Sequence, residues 1–371
     1  MTAKPGDRIV VGMSGGVDST FAAALLADAG YDVVGISMRL WGEASSSGCC
    51  SLDDFLDARR AASALRIPFY VMDFRQEFEK AVVQPFVSDY LAGRTPNPCA
   101  RCNQFVKFAS FWDRARELGA KYVATGHYAR IVGREGAPEL WRAVDTEKDQ
   151  SYFLFAIEPE ALAHTVFPLG ELTKAEVRRA AKRRGLRVAD KPDSQEVCFA
   201  PKGDYADFVA RRAGASLLSP GIIVDRAGKQ LGEHTGIHNF TVGQRRGLGL
   251  AIPEPRYVTA IDAKDRRVTV GTREDVIVGG LVARAPNWLV STPVRAGTRL
   301  QIKIRSRFAP TDVVVLAADA SHFAVASPDG LPAVTPGQAA VLYEGARVVG
   351  GGWIDRALPR EAATEAAAAL G

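Results

Sequence analysis

The stretch RIVVGMSGGVDSTFAAALLADAG, residues 8–30, decides the fold of the N-terminal half of this chain. Residues 8–12 are a short β-branched run, and Thr20 to Ala29 form an alanine- and leucine-rich segment that ends before Gly30. This order predicts a buried strand, a glycine turn and a helix whose C′ residue is Gly30. Because backbone amides at a helix N-terminus attract anions, the turn between the two elements predicts a phosphate site.

Strand-like and helix-like segments alternate along the next hundred residues. The predicted elements are a strand from Tyr31 to Met38, a helix from Ser51 to Leu65 with Ser51 as N-cap, a strand over 69–74, a helix from Phe105 to Leu118 and a strand over 121–125. Strands separated by helices at this spacing favour βαβ units and a parallel sheet covered on both faces. The predicted fold class of this half is therefore α/β.

The pattern changes after about Phe208, where short β-branched runs appear between Gly, Pro and Asp. The predicted strands lie at 221–224, 257–261, 267–271, 280–283, 299–304, 312–316, 339–343 and 347–353. Such a pattern is typical of a small linking domain followed by a closed barrel. We therefore predict domains over residues 1–207, 208–276 and 277–356, and a disordered alanine-rich tail over 357–371 that has no apolar face to bury.

Length and composition restrict the class of protein. The 371 residues are too many for one core, and 47% hydrophobic with 24% charged residues is ordinary globular composition. No apolar run is long enough to span a bilayer and no secretory segment is evident, so we expect a cytoplasmic protein without membrane contact. The odd number of cysteines, five, argues against a disulfide-stapled secreted scaffold.

The distribution of charge is more informative than the formal net charge of +5, which permits a nucleic-acid partner without requiring one. Basic side chains crowd one helix-like segment, 178–187, and recur at 211–212, 245–246 and 266–267. A solvated helix face usually mixes both signs of charge, and here acidic residues are scarce. Phosphate binding and ordinary surface solvation both stay open for these residues.

The glycine turn consists of Ser14-Gly15-Gly16-Val17-Asp18-Ser19. Glycines let the backbone approach phosphate oxygens closely, and the two serines add hydroxyl donors. Asp18 would repel a bare phosphate, so it indicates either a metal such as Mg²⁺ or an orienting acceptor. The lysine of a Walker loop is missing, which disfavours a P-loop kinase or GTPase. A mere strand-to-helix turn would not require hydroxyl and acid side chains among its glycines.

This SGGVDS stretch resembles the signature of the PP-loop ATP pyrophosphatases, which have a Rossmann-like α/β domain. The group includes GMP synthetase, NAD synthetase, argininosuccinate synthetase and tRNA-thiolating enzymes. The resemblance implies cleavage of ATP between its α and β phosphates, and it leaves the member of the group open.

Two cysteines belong to a second motif, TPNPCARCN at residues 95–103. Its prolines stiffen the approach, and Cys102 is expected just before a helix, whose N-terminal dipole favours a thiolate together with Arg101 and Lys107. Cys198 is a third thiol, whereas the vicinal pair Cys49-Cys50 allows no interpretation. Buried inert cysteines and sulfur or redox chemistry remain the alternatives, since a structural zinc site would want a second C-x-x-C pair that the sequence lacks.

Six ordered motifs make a closer resemblance specific. GMSGGVDS at 12–19, TPNPCARCN at 95–103, ATGHYAR at 124–130, KDQSYFL at 148–154, DSQEVCF at 193–199 and TVGQRRGLG at 241–249 are similar to blocks of the tRNA-specific 2-thiouridylase (MnmA) family. They follow that family's order, within a resemblance that covers about residues 8–355. The resemblance implies a PP-loop ATP pyrophosphatase domain, a small β-rich central domain and a C-terminal β-barrel.

Matched position by position, the resemblance implies a role for each motif. The ATP contacts would be Gly12, Met13, Ser14, Gly15, Gly16, Val17, Asp18, Ser19, Met38 and Gly126. The tRNA contacts would be Asn97, Pro98 and Cys99 beside the target base, Lys148, Asp149 and Gln150 in a loop, and Arg305 and Ser306 in the barrel. Cys102 would be the nucleophile and Cys198 the persulfide carrier. Many members have Arg-Tyr at the barrel position, so the stacking of that tyrosine is absent here.

The implied activity is sulfur transfer to the wobble uridine in the anticodon stem-loop of a tRNA. ATP with Mg²⁺ would adenylate the 2-carbonyl oxygen, a persulfide on Cys198 would supply sulfur, and the products would be 2-thiouridine, AMP and pyrophosphate. The sulfur donor would be a cysteine desulfurase or a sulfur-relay protein.

One departure from the family opens an alternative, because many members carry Asp where this chain has Cys99. Thiolates of Cys99, Cys102 and Cys198 could together hold an iron–sulfur cluster. We prefer the persulfide route, since it needs only the two matched thiols. A PP-loop amide or amidine synthetase is a further alternative, but that activity would not require the cysteines or the β-rich half of the chain.

Overall fold

The computed structural model describes residues 3–42, 52–134, 137–192, 197–200, 205–214 and 219–368. The chain divides into two units. The first comprises Met1–Val82, Pro98–Gly203 and Ala346–Val348, and the second comprises Val83–Asn97, Asp204–Gly345 and Val349–Gly371. Cys49, Cys50, the expected N-cap Ser51 and residues 193–196 of the DSQEVCF motif lie outside the described residues.

A parallel five-stranded sheet forms the centre of the first unit, which confirms the α/β prediction. The strands of this unit are β1 (Arg8–Gly12), β2 (Asp32–Arg39), β3 (Phe69–Asp73), β4 (Tyr122–Thr125), β5 (Ala129–Arg134), β6 (Ala137–Arg142) and β7 (Thr165–Val166). The sheet order is β3-β2-β1-β4-β7, and each neighbouring pair is parallel. Strands β5 and β6 form an antiparallel hairpin that the sequence did not predict, and Trp141 of β6 pairs with Arg347 outside the parallel sheet.

Helices cover this sheet and also occur in the second unit. They are α1 (Val17–Asp28), α2 (Leu52–Leu65), α3 (Arg75–Phe78), α4 (Gln84–Leu91), α5 (Pro98–Cys102), α6 (Phe111–Glu117), α7 (Ser151–Leu154), α8 (Pro159–Ala163), α9 (Lys174–Arg183) and α10 (Tyr205–Ala213). Buried alanines of α1 and α2, among them Ala23, Ala58 and Ala62, pack in one cluster with Ile9 and Val11 of β1. Within the described part of the chain, no helix is long and apolar enough to cross a membrane.

The helix predicted over 105–118 begins earlier, so that prediction is wrong at its N-terminal end. Helix α5 starts at Pro98, continues as a π-helix over Asn103–Ser110 and passes into α6. Proline is favoured in the first helical turn because its missing N–H has no intrahelical acceptor there. Cys99 is therefore the second residue of the helix and Cys102 the fifth, and Cys102 does not precede the helix as expected.

The second unit contains the predicted β-rich half. A four-stranded sheet, ordered β10-β11-β8-β9, comprises β8 (Gly221–Val224), β9 (Gln230–His234), β10 (Tyr257–Asp262) and β11 (Arg267–Gly271). The next strands are β12 (Ile277–Trp288), β13 (Arg299–Lys303), β14 (Thr311–Ala318), β15 (His322–Pro332), β16 (Ala339–Glu344) and β17 (Arg347–Leu358). They follow the order β12-β15-β14-β13-β16-β17, and β12 also pairs with β17, so the six strands close into an antiparallel barrel.

The C-terminal tail is helical where disorder was expected. Helix α11 spans Arg360–Ala368, and Ala363 is buried. A Cβ atom at Gly279 of β12 would lie 2.7 Å from the Ala363 Cβ and 2.6 Å from the Arg360 Cα. The missing side chain at Gly279 thus lets the helix approach the strand, a long-range fit that the sequence of the tail does not reveal.

Candidate phosphate loop and cysteine site

The loop between β1 and α1 is shaped by two different glycines. Gly15 has a φ of +74°, and a Cβ atom there would lie 2.2 Å from the carbonyl oxygen of Asp54. Gly16 is the N-cap of α1 with an extended backbone, and its Cβ would meet only the Ser14 Oγ at 3.6 Å. Gly15 is thus required for the turn itself, whereas Gly16 leaves room beside the backbone.

Hydroxyl groups hold the same loop in shape. The Ser19 Oγ accepts a hydrogen bond from the Ser14 amide at 3.1 Å and donates to the Gly16 carbonyl at 3.3 Å. The first helical hydrogen bond runs from the Thr20 amide to the Gly16 carbonyl at 3.3 Å. The amides of Val17, Asp18 and Ser19 precede that bond, so they lie where a helix N-terminus binds an anion.

Asp18 is engaged by a lysine that lies outside the sequence motifs. The Lys174 Nζ donates to both carboxylate oxygens of Asp18, at 2.6 and 2.8 Å, and the Tyr128 hydroxyl donates to one of them at 2.8 Å. Lys174 is 8% exposed. The Asp18 carboxylate is thus a hydrogen-bond acceptor within the unit, and its charge beside the loop is offset by a buried cation.

A sequence signal for Lys174 was available in the capping box that surrounds it. Thr173 is the N-cap of α9: its Oγ1 accepts from the Glu176 amide at 3.3 Å, and the Glu176 carboxylate accepts from the Thr173 amide at 2.7 Å. This T-x-x-E pattern fixes where α9 begins. It therefore fixes Lys174 as the first helical residue.

A second lysine, Lys191, connects the loop to helix α2. The Lys191 Nζ donates to the Gly15 carbonyl at 3.2 Å and to the carboxylates of Asp54 and Asp57 at 2.8 and 2.7 Å. Burial alone would lower the pKa of Lys191, but its hydrogen bonds to the two carboxylates outweigh burial and raise the pKa above its ordinary value. The side chain therefore stays charged and holds α2 against the loop.

The other residues matched to ATP lie around the end of β1. A Cβ atom at Gly12 would lie 3.3 Å from the Met38 Cε, and one at Gly126 would lie 2.6 Å from the Ser19 amide nitrogen. Met13 is buried, its amide donates to the Ile36 carbonyl at 2.8 Å and its carbonyl accepts from the Ser37 hydroxyl, so this residue shapes the end of β1. The structure brings Gly12, Met38 and Gly126 to the loop, and Gly126 also lets the chain approach the start of α1.

His127 follows Gly126 and is held in its neutral form. Its Nδ1 lies 2.7 Å from the Thr125 Oγ1, and its ring packs near Phe108 and Phe167. Burial, with a contribution from the nearby positive charge of Lys107, lowers the pKa of His127 well below 6.5. His127 can therefore accept or donate a hydrogen bond near neutral pH, but it adds no positive charge.

The segment Lys148-Asp149-Gln150 is tied into the first unit. The Asp149 carboxylate is buried and accepts hydrogen bonds from Arg142, the Ala143 amide and Ser151. The Gln150 side chain accepts from the Tyr128 amide at 2.9 Å. Lys148 is half-buried. Asp149 and Gln150 thus shape the segment, and Lys148 is the residue of the three that carries a cationic group.

The three described cysteines differ in environment. Cys99 is exposed, Cys102 is buried and Cys198 is half-buried. Phe199, next to Cys198, packs with its ring centroid 5.6 Å from that of Phe78 and 5.9 Å from that of Trp41. All three cysteines belong to the first unit, together with the phosphate loop. Asn97 and Pro98, beside Cys99, are buried.

Candidate metal ligands are few. Among the described residues, no three His, Cys, Asp or Glu side chains form a group that could hold a metal ion, and this includes Cys99, Cys102 and Cys198. Mg²⁺ in nucleotide sites takes one or two carboxylates besides the phosphates, a requirement that Asp18 can meet. Asp18 is thus the candidate for a magnesium that arrives with ATP.

Several basic residues expected to contact RNA have partners inside their own unit. Arg178 donates to the carbonyls of Ala189 and Lys191 at 3.0 Å, and Arg184 pairs with Asp28. In the second unit, the Arg305 guanidinium donates to the Val242 carbonyl and the Thr335 hydroxyl, each at 2.8 Å. Ser306 is half-buried beside it, whereas Arg245 and Arg246 are exposed.

The fold and the loop together define a class of protein. A parallel sheet whose first strand leads through a glycine loop into a helix, with a lysine–aspartate pair at that loop, is a nucleotide-binding α/β domain. Here it is combined with a small β domain and a closed barrel. Three family models match in the same order, described as a tRNA methyl transferase HUP domain over residues 7–202, a tRNA methyl transferase PRC-barrel domain over 206–272 and an aminomethyltransferase β-barrel domain over 278–354.

The chain belongs to the tRNA-specific 2-thiouridylase family. It is 50% identical to the tRNA-specific 2-thiouridylase MnmA of Geobacter metallireducens over 368 residues, which cover 96% of this chain and 99% of the relative. It is 47% identical to the MnmA protein of Solibacter usitatus, with 95% and 100% of the two chains covered. Among solved structures, a 4-thiouridine synthetase–RNA complex with bound ATP shares 18% identity at a TM-score of 0.34, covering 57% of this chain and 51% of that one. A similarity that low carries no functional argument.

Proposed function

We propose that this protein is a tRNA 2-thiouridylase that uses ATP to activate a uridine and a cysteine persulfide to deliver sulfur. The observation that carries the proposal is the 50% identity to named 2-thiouridylases over nearly the full length of both chains. The chemistry also needs a polyphosphate site and thiols, and the first unit contains the loop 14–19 as well as Cys102 and Cys198.

Adenylation is the first step because the 2-carbonyl of uracil is a poor electrophile with a poor leaving group. The uridine O2 attacks the α-phosphorus of ATP, so AMP becomes attached to O2 and pyrophosphate leaves. The amides at the start of α1 hold the polyphosphate, and Mg²⁺ at Asp18 would offset the charge that develops on pyrophosphate. The adenosine part of the nucleotide would contact Gly12, Met38 and Gly126.

Sulfur transfer follows at C2. The terminal sulfur of a Cys198 persulfide adds to C2, and AMP leaves with the former O2. Cys102 then attacks the sulfur atom bound to the Cys198 Cβ, which breaks the sulfur–sulfur bond, releases 2-thiouridine and leaves a Cys102–Cys198 disulfide. A thiol reductant and a sulfur donor such as a cysteine desulfurase complete the cycle. Cys198 is half-buried, so a donor protein can reach it.

The tRNA would present its wobble uridine from the single-stranded anticodon loop, because a base must leave its stack to reach a buried nucleophile. Asn97, Pro98 and Cys99 would lie beside that base. Lys148 would contact the RNA in a segment shaped by Asp149 and Gln150. On the barrel, Arg305 and Ser306 would contact the RNA. The guanidinium group of Arg305 is held in place by its hydrogen bonds to the Val242 carbonyl and the Thr335 hydroxyl.

Substitution of Cys198 tests the persulfide route. The Cys198→Ser protein is expected to lose 2-thiouridine formation while it binds ATP and tRNA as the native protein does, because serine cannot carry a persulfide. Nucleoside analysis of tRNA after incubation with ATP, cysteine and a cysteine desulfurase measures the product. Cys99→Ala should still form 2-thiouridine, because the persulfide route uses the thiols of Cys102 and Cys198 and not that of Cys99. Continued thiolation by Cys198→Ser would show the persulfide assignment to be wrong, and loss of both iron and activity in Cys99→Ala would establish the cluster route.

Methyl transfer is the second candidate, because two of the matching family models are described as tRNA methyl transferase domains. Thiolation is preferred because methyl transfer leaves a loop for ATP phosphates and two matched thiols without a task. Incubation of tRNA with radiolabelled S-adenosylmethionine separates the two reactions. Label in the tRNA without ATP would favour methyl transfer, whereas ATP-dependent sulfur incorporation with AMP release would favour thiolation over both methyl transfer and amide synthesis.

A further inference from the structure

A basic cleft lies in the first unit, and no described cysteine lines it. It has a volume of about 550 Å³ and runs between α2 and the turn at residues 185–188. Arg59, Arg60 and Ser63 of α2 line one side, and Arg187 lines the other. The buried residues of α2 are Ala58, Ala61 and Ala62, so the helix turns its arginines outward by its ordinary periodicity.

The positive charge of the arginines in this cleft is not neutralised by carboxylates of the described residues. Arg59 and Arg187 are exposed, and neither has an ion-pair partner among the described residues. Arg60 lies 3.5 Å from Asp57, in an exposed i,i+3 pair of the kind that contributes little. Asp57 is also shared with Lys191 at 2.7 Å. Three guanidinium groups therefore face one carboxylate that already has a stronger partner.

An unsatisfied hydroxyl lies in the wall of the same cleft. Thr20 is 0% exposed and lines the cleft, and its Oγ1 has no hydrogen-bond partner in the part of the chain that the structure describes. A buried hydroxyl without a partner is unfavourable by about 1–3 kcal/mol.

The lining residues identify the class of ligand. Arginine forks match phosphate oxygens, and none of the described lining residues is aromatic, so the cleft has no aromatic ring on which a nucleobase would stack. A pocket for a small nucleotide would instead enclose the base in apolar surface. The pattern fits a phosphodiester backbone that lies across the cleft.

We propose that this cleft, formed by Arg59, Arg60 and Arg187, binds backbone phosphates of the tRNA substrate. The inference rests on the proposed function, which supplies the RNA. It narrows the expectation that the basic segment 178–187 holds phosphates, since Arg187 lines the cleft whereas Arg178 and Arg184 are engaged within the unit. The cleft is separate from the phosphate loop, because Lys191 and Asp57 stand between Gly15 and the arginines.

Charge reversal at the two unpaired arginines tests the site. The Arg59→Glu, Arg187→Glu double variant is expected to raise the Kd for tRNA at least about tenfold near 0.15 M salt, because each lost phosphate contact removes counterion release. The slope of log K against log[salt] should fall in magnitude by about 1–2. Affinity for ATP, measured without tRNA, should stay as in the native protein, since neither arginine touches the loop.

Matched variants keep the test specific. Arg114→Glu changes the charge by the same amount per site on α6, where Arg114 is an exposed residue paired with Glu117, and it should leave tRNA binding unchanged. Arg59→Gln with Arg187→Gln repeats the test without new negative charge, in case the glutamates disturb folding. If the native protein forms 2-thiouridine and both double variants bind tRNA as it does, the cleft inference is wrong and the proposed function stands. If the native protein does not bind tRNA, both are wrong.

Discussion

At the scale of single residues, Lys174 offsets the charge of Asp18 beside the phosphate loop, although it belongs to none of the sequence motifs. Lys174→Met removes the cation that offsets Asp18 beside the polyphosphate, and the carboxylate then repels the phosphates. The KM for ATP is expected to rise at least about tenfold, equivalent to about 1.4 kcal/mol. Lys174→Arg should recover part of the affinity, because it restores charge with a different shape. Steady-state kinetics of AMP formation with tRNA measures both variants.

A lysine on the same helix serves as the control. Lys182 of α9 also forms an ion pair, with Asp190 at 2.6 Å, but its side chain is 57% exposed. Lys182→Met should leave the KM for ATP unchanged, because exposed pairs contribute little. Equal effects of the two substitutions would mean that loss of any α9 lysine disturbs the domain and that Lys174 has no particular role at the loop.

At the scale of elements, the two glycines of the phosphate loop have different roles. Gly15 is needed for the turn, and Gly16 leaves space for a ligand beside the backbone. Gly15→Ala places a Cβ against the Asp54 carbonyl at a positive φ, so we expect a loss of about 1–3 kcal/mol of stability. In a domain of this size, each kcal/mol lowers the Tm by about 2–4 °C. Gly16→Ala meets only the Ser14 Oγ at 3.6 Å, so its Tm should stay near native while its ATP affinity falls. Thermal unfolding and ATP titration of both variants give the comparison, and a Gly15→Ala protein as stable as the native one would contradict the steric argument.

The helical run from Pro98 shows where local sequence rules mislead. Two prolines within three residues are typical of a loop, and the helix was accordingly expected from Phe105. Pro98 instead occupies the first turn, where proline is tolerated, and a π-helix over Asn103–Ser110 continues the run. The dipole of a helix acts within its first turn, so its N-terminus favours an anion at Cys99 more than at Cys102. Activation of the Cys102 thiol therefore requires other groups of the folded unit.

At the scale of the whole molecule, the sequence predicts the change from α/β to β because hydrophobic periodicity reports which faces are buried. It misses β15, since the Pro328-Asp329-Gly330 sequence inside this strand is typical of a turn. The ladder with β12 absorbs those residues as a bulge, with Gly280 paired to Ala326 and Val278 paired to Leu331. It also misses Lys174 beside Asp18, because 156 residues separate the two and only the fold brings them together.

The tail helix α11 also depends on a contact between residues far apart in sequence, since Ala363 packs against Gly279 of β12. This packing can be tested. Ala363→Glu would force a charged side chain against Gly279, so we expect a loss of about 1–3 kcal/mol in the stability of the second unit. Ala366→Glu is the control, since Ala366 is exposed on the same helix and should tolerate the change. Calorimetry of the two variants beside the native protein measures the difference, and ATP affinity should be native in both because the phosphate loop belongs to the first unit. If the two variants unfold at the same temperature, the helix does not pack on β12 as described, and the tail is as loose as its sequence suggests.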